Sequence, residues 1–231
     1  MQIEIWSDIA CPWCYVGKRR FEQALERFPN REQVTVTWRS FELDPSAPAT
    51  QYEPQAQLLA RKYGVPVAKA EAMNARMTAA AAEEGLDFHF DRVKVGNTFD
   101  AHRLVHFAHA RGLQDAMKER LMHAYLTEGL AIGDRTVLQR LGEEVGLDAT
   151  EVRETLATDA YASDVRADED MAREFGISGV PYFVLGRKYG VSGAQSPEVL
   201  LEALTEAYVE SAAASVTAEA GPSCDENGCA I

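Results

Sequence analysis

The patterning of this chain changes twice, and those changes restrict the fold more than any other feature. Gln2–Ser7 alternates apolar and polar residues, as a half-buried strand does. From Pro12 to Phe28 the period becomes helical, with Val16, Phe21, Ala24, Leu25 and Phe28 on one broad face, and Pro29-Asn30 ends it. Val34–Leu43 (VTVTWRSFEL) is rich in β-branched and aromatic residues, a second strand stopped by Asp44-Pro45. From residue 53 to about 174 the chain is dominated by Ala, Leu, Met, Glu and Arg, with breaks at Gly64–Pro66, Gly85, Gly96-Asn97, Gly112, Gly129–Asp134 and Gly146-Leu147. That predicts a run of helices, with Phe88–Val95 (FHFDRVKV) as a strand-like or extended exception. After Gly176 the strand signal returns in Val180–Leu185, turns at Gly186-Arg187 and continues through Lys188–Gly193. A closing helix follows, with Ser196 as N-cap and Pro197 at its first position. From about Ser211 there is little to bury, as in a flexible tail.

The expected architecture is therefore α/β. Residues 1–50 (βαβ) and 175–210 (ββα) form one domain, an all-helical insertion occupies 51–174, and a tail spans 211–231. The insertion is long enough to roof a site at the first strand–helix junction and to shape a groove there.

Charge narrows the function classes. A formal net charge of −13 over 231 residues argues against nucleic acid and against anionic membrane surfaces, both of which call for a concentrated Lys/Arg face. No apolar run approaches the ~20 residues that span a bilayer. A strand beginning at residue 2 leaves no basic and apolar leader, so the expected location is the cytoplasm.

In that compartment the cysteines become informative, because structural disulfides are rare there and a C-x-x-C is more often metal-binding or catalytic. The chain has four, in two pairs at opposite ends. Cys11 and Cys14 flank Pro12 and Trp13 at the first strand–helix junction. A zinc site would need two further ligands; His102, His106 and His109 have the spacing of one helix face, but no flanking turn resembles a zinc ribbon. The redox reading has mechanical support. Cys11 falls at a helix N-cap, where free N–H groups and the positive end of the helix favour a thiolate. Pro12 suits the first helical position. Cys14, in the first turn and more shielded, would resolve the mixed disulfide that Cys11 forms. Asp8 and Glu42 are the nearest candidates for accepting the Cys14 proton. Gly179-Val180-Pro181-Tyr182 adds a proline at a strand entrance, where it costs a ladder hydrogen bond unless placed for a purpose. One such purpose is a cis bond.

CPWC after a first strand, a long helical insertion, then GVPYFVL and VSGAQSPEVL together resemble a DsbA-family thioredoxin-fold protein, and most nearly its FrnE-type branch of dithiol–disulfide isomerases. The resemblance covers residues 1 to about 210. It implies a thioredoxin-like fold with a large all-helical insertion. It further implies a cis Val180-Pro181 bond beside the thiols, and a substrate segment pairing with backbone at Val180. No organic cofactor is implied. The implied partners are disulfide-containing proteins or peptides and a thiol reductant such as thioredoxin or glutathione. DsbA-type oxidants carry His in the second intervening position, where this chain has Trp13. With DsbA at a thiol pKa of ~3.5 and thioredoxin at ~7, Cys11 is expected between them. Trp13 would then serve as an apolar platform for substrate. Related glutathione-dependent isomerases of 2-hydroxychromene-2-carboxylate and kappa-class glutathione transferases resemble this chain in the stretch GNTFDAHRL. Asn97, Thr98 and His102 are therefore candidates for substrate contact, against the plainer reading of a helix cap and surface histidines. Those relatives have serine at the first cysteine position, and this chain has Cys.

The second pair, Cys224 and Cys229, brackets Asn227-Gly228, a strong turn former. Asp225 and Glu226 would raise these thiol pKa values, which suits recipients of a relayed disulfide better than first attackers. The leading expectation is a thiol–disulfide oxidoreductase or isomerase in which Cys11 attacks, Cys14 resolves, Pro181 orients the substrate chain, and Cys224 and Cys229 relay. The alternatives are a glutathione-dependent isomerase or transferase, and a zinc-binding module using the four cysteines.

Overall fold

A computed structural model describes residues 1–219, with side chains through Ser211. β1 (Gln2–Ser7), α1 (Pro12–Arg27) and β2 (Thr35–Ser40) make the opening βαβ unit. Seven helices follow: α2 (Gln55–Tyr63), α3 (Val67–Glu83), α4 (Phe99–His109), α5 (Gln114–Leu126), α6 (Arg135–Glu144), α7 (Ala149–Ala157) and α8 (Ala162–Glu174). β3 (Tyr182–Leu185), β4 (Tyr189–Ser192) and α9 (Pro197–Glu219) complete the sequence of elements. The four strands form one sheet in the order β2-β1-β3-β4, with β1 parallel to β2 and antiparallel to β3, and β3 antiparallel to β4.

The two-residue period of β1 gives the sheet two different faces. Ile3 and Ile5, level with Leu185 and Phe183, join one large core with Phe21 of α1 and Leu200 and Leu204 of α9. Trp6 and Val184 point the other way, into a smaller cluster with Ala172 of α8 and Ile177. There the Trp6 indole N–H donates to the Asp168 carbonyl oxygen at 2.8 Å. The insertion is thus fastened to the sheet through α8, and also through α5: the Gln114 side chain accepts from the Trp38 backbone N–H at 3.0 Å and donates to its carbonyl at 2.9 Å. Both outward-facing backbone groups of edge-strand residue Trp38 are satisfied this way. Inside the insertion, α4 packs against α5, α6, α7 and α8. Its buried Arg103 closes the end of α7 by donating to the carbonyl oxygens of Thr155, Thr158 and Ala160, groups that a helix C-terminus otherwise leaves unpaired.

Three expectations need correction. Phe88–Val95 does break the helical run as expected, but it forms no strand: Phe88 and Val93 are buried, and the segment's backbone runs beside helix ends, with His89 N–H bonded to the Leu126 carbonyl at 2.8 Å. With no strand edge to join, alternation alone makes no ladder. β2 stops at Ser40 instead of Leu43, because the chain bends away so that Leu43 N–H can reach the Asp8 carboxylate at 2.8 Å. The last helix continues past Ser211 to Glu219 through an alanine-rich stretch of high helix propensity. Cys224 and Cys229 lie outside the described residues. Among the described residues no helix is long and apolar enough to cross a membrane.

Candidate active site

The turn after β1 delivers Cys11 as the N-cap of α1 in an extended conformation (φ −88°, ψ 111°), with Pro12 as first helical residue. Cys14 N–H donates to the Cys11 carbonyl at 3.0 Å, closing the first turn and setting both thiols on the same end of the helix. Both cysteines are free thiols. Cys14 is fully buried and Cys11 is 5% exposed, whereas Trp13 between them is 46% exposed. A disulfide partner arriving from solvent therefore meets Cys11 and the Trp13 ring, not Cys14.

The second wall comes from the far end of the chain. The Val180-Pro181 bond is cis, as the family resemblance implied. The Cys11 thiol donates to the Val180 carbonyl at 3.7 Å. Gly193 N–H donates to the Pro181 carbonyl at 2.8 Å, which fixes the segment from the β4 side. Gly17 is what lets α1 sit this close: a Cβ there would stand 2.9 Å from Cγ of Pro181.

The floor beneath the thiols is ionic and buried. Asp8, at the end of β1, accepts from Leu43 N–H at 2.8 Å and faces His102 Nε2 of α4 at 3.3 Å. Burial alone would push the Asp8 carboxyl up, but the hydrogen bonds from His102 and Leu43 and the nearby Lys118 charge outweigh it and hold its pKa below the usual range. Burial lowers the pKa of His102, against the pull of Asp8, so its imidazole is neutral near pH 7. Lys118 of α5 is also fully buried, and its ammonium donates to the Ser7 carbonyl at 2.9 Å. Burial pulls its pKa down to about 8, even though Cys14, Asp8 and Cys11 all favour its charged form.

Cys11 itself runs against the sequence expectation. Its pKa lies well above the ordinary thiol value, not below it: the neighbouring Cys14 side chain, burial and the negative charge of Asp8 all disfavour its thiolate. The backbone N–H of Cys14 acts the other way but does not prevail. The CPWC motif itself supplies no cation that would offset this.

The remaining expected residues sort clearly. Asn97 is engaged within the fold: its Oδ1 accepts from Phe99 N–H at 2.9 Å at the start of α4, and its Nδ2 donates to the Pro45 carbonyl at 3.2 Å and to Glu42 at 3.4 Å. Thr98 is buried as the N-cap residue of α4. His102 is neither a surface histidine nor open to substrate; it is 1% exposed and turned toward Asp8. Glu42 is tied to Arg166 of α8 and Asn97, not to Cys14. His106 bonds Asp168 and Ser40, so the histidines of α4 face different partners. No group of three or more His, Cys, Asp or Glu suited to a metal occurs among the described residues. Sequence reasoning missed Lys118. Its sequence signal is partial: Leu121 and Met122, at i+3 and i+4, are apolar, but Glu119 and Arg120 beside it have the composition of a solvated face.

Comparison with known proteins follows the same lines. Residues 2–205 match the family described as DSBA-like thioredoxin domain. The Bacillus subtilis protein YwbO is 30% identical over 208 residues, covering 89% of this chain and 96% of its own. The crystal structure of a probable DsbA oxidoreductase from Streptomyces coelicolor superposes with a TM-score of 0.87 at 44% identity, over 100% of this chain and 99% of that one. The cytosolic disulfide reductase DsbM from Pseudomonas aeruginosa shares the fold at 18% identity, with a TM-score of 0.63 over 94% of this chain and 100% of that one.

Proposed function

The chain belongs to the DSBA-like thioredoxin domain family, and from that premise we propose a thiol–disulfide oxidoreductase of the FrnE type that works on protein or peptide disulfides through Cys11 and Cys14. The observation that carries this reading is the Cys11 thiol at a helix N-cap, 3.7 Å from the Val180 carbonyl and the less buried of the two.

As a reductase or isomerase, the Cys11 thiolate attacks one sulfur of a substrate disulfide; a Cys11–substrate S–S bond forms, the substrate S–S bond breaks, and the other substrate sulfur leaves with the electron pair. The Cys14 thiolate then attacks Cys11 sulfur. The Cys11–Cys14 disulfide forms, the substrate thiolate departs and takes a proton from water, and the substrate has gained the two electrons the pair has lost. An extended substrate segment pairs with backbone at Val180 while Pro181 holds that segment in place and Trp13 offers an apolar platform. Thioredoxin or glutathione would return the pair to dithiol, in the cytoplasm. The helical insertion, residues 51–174, supplies the floor and roof of the site. Cys224 and Cys229 are assigned as a secondary pair that exchanges disulfides with the first.

Insulin reduction with dithiothreitol tests this in wild type, Cys11→Ser and Cys224→Ser/Cys229→Ser proteins. The expected result is catalysis by wild type, none by Cys11→Ser, and a partial loss in the tail double variant. Full activity in the double variant removes the relay. An inactive wild type overturns the oxidoreductase reading in favour of a glutathione-dependent isomerase.

A further inference from the structure

The Cys11–Cys14 pair lies over three buried ionisable groups, and the sequence motif explains none of the cationic charge among them. Lys118 is the cation. Its side chain is fully enclosed, and among the described residues its ammonium has one hydrogen-bond partner, the Ser7 carbonyl oxygen at 2.9 Å. The Trp38 ring lies beside it, with 5.8 Å between Nζ and the ring centroid. Among the described residues no carboxylate oxygen stands within ion-pairing distance of Nζ, whereas Lys18, the other buried lysine, has three carboxylates around it. A buried ammonium without an anionic partner is costly. Such a group persists where its charge is wanted, and the groups that favour its charged form are Cys14 first, then Asp8 and Cys11.

We propose that Lys118, supplied by helix α5 of the insertion, is the counter-cation for the thiolate of the Cys11–Cys14 pair, and that Asp8, held by His102, sets an opposing negative field. The inference rests on the proposed oxidoreductase chemistry and deepens it. Lys118 is a positioning residue in this scheme: it touches no substrate and acts on the charge of the pair through space. The groups facing it are Ser7 carbonyl and Asp8 from the β1–α1 junction, Cys11 and Cys14 from α1, Trp38 from β2, His102 from α4 and Asp168 from α8. Asp8 already satisfies part of its own charge through Leu43 N–H and His102. Lys118 is thus a buried cation whose charge both thiols favour, set against the Asp8 carboxylate, whose charge opposes ionisation of Cys11. The two effects have opposite signs, which makes the assignment separable from a loss of packing.

The test uses full-length protein with Cys224→Ser/Cys229→Ser as background, so that only the CPWC thiols react. The rate of alkylation of the reduced protein by iodoacetamide is followed from pH 5 to 10, with mass spectrometry to locate the label. Lys118→Met is expected to move the pH midpoint upward and slow alkylation at pH 7 by about tenfold, one pKa unit. Asp8→Asn is expected to move it downward. In equilibrium with glutathione, Lys118→Met shifts the pair toward the disulfide. Lys118→Gln, which keeps a donor for the Ser7 carbonyl but not the charge, gives the same shift if Lys118→Met fails to fold. A neutral variant whose alkylation profile overlays that of the background protein overturns the proposal, as does a shift in the same direction as Asp8→Asn. Alkylation needs no turnover, so an enzyme inactive on insulin would leave this outcome readable and would count only against the proposed function.

Discussion

Two buried lysines share the Trp38 ring, Lys18 of α1 with Nζ 5.9 Å from its centroid and Lys118 of α5 at 5.8 Å. Both are buried, Lys118 the more deeply, and they differ in their company. Lys18 stands among Glu22, Asp115 and Glu119, with Asp115 at 3.2 Å and Glu119 at 3.1 Å. Burial lowers its pKa, but those carboxylates more than reverse this and raise it above the ordinary lysine value. Lys118 has, among the described residues, only a carbonyl, and its pKa falls to about 8. The first is a charge secured by its neighbours, part of the seam joining α1 to α5. The second is a charge left partly unpaid, under the thiols. The difference teaches that burial by itself says little about the role of a charge; its partners decide whether it fastens the fold or serves the site.

The largest effect that would sharpen this contrast is on stability. A pKa of about 8 in the fold, against about 10.4 unfolded, makes the ammonium a net cost below pH 8 on the order of 3 kcal/mol. Lys118→Met is therefore expected to raise the urea midpoint at pH 7 while weakening thiol reactivity. The sign extends to pH: the unfolded chain holds the Lys118 proton between about pH 8 and 10.4 and the folded chain does not, so this residue makes stability rise with pH across that window. Melts of wild type and Lys118→Met at pH 7 and pH 9.5 should converge as pH rises; a constant gap would mean that packing, not charge, separates them.

Gly17→Ala acts on the frame that both lysines share, because the new Cβ meets Pro181 Cγ at 2.9 Å and α1 must shift. Its expected cost is about 1–3 kcal/mol, read as a lower urea midpoint, with slower insulin reduction as the Cys11–Val180 spacing opens. Lys18→Met should destabilise by roughly 1 kcal/mol, since Glu22, Asp115 and Glu119 are partly solvated and can recover water. Stabilisation by that change, of the kind expected for Lys118, would break the comparison. Arg27→Ala sets the baseline: the Arg27–Glu198 pair is exposed on both sides, and its removal should leave the urea midpoint almost unchanged.

The thioredoxin-like part of the fold was legible because its signals are local. β1 alternates, α1 carries Pro12 at its start, and Pro181 marks the entry to β3; each can be read from a few neighbouring residues. The insertion was legible as helices and not as partners to the site. Lys118 stands in Lys118-Glu119-Arg120, which has the composition of a solvated face, and only the docking of α5 against β2 turns it inward. His102 failed in the opposite direction: helical spacing grouped it with His106 and His109, while the fold sends it to Asp8. The Cys11 pKa failed for a related reason. A helix N-cap argues for a thiolate, but it cannot show that Cys14 and Asp8 crowd negative charge around the same sulfur.

The strand order β2-β1-β3-β4 has a consequence for the birth of the protein. β1 finds β2 within the first 40 residues, but its other edge waits for β3, which begins at Tyr182. At about 5–20 residues per second of synthesis, that edge and the neighbouring Cys11 and Cys14 spend roughly ten to thirty seconds without the Val180-Pro181 wall. For that interval the dithiol and the open edge of β1 lack the partners that cover them in the finished fold. The wall beside Cys11 is thus made only after the whole helical insertion has been synthesised.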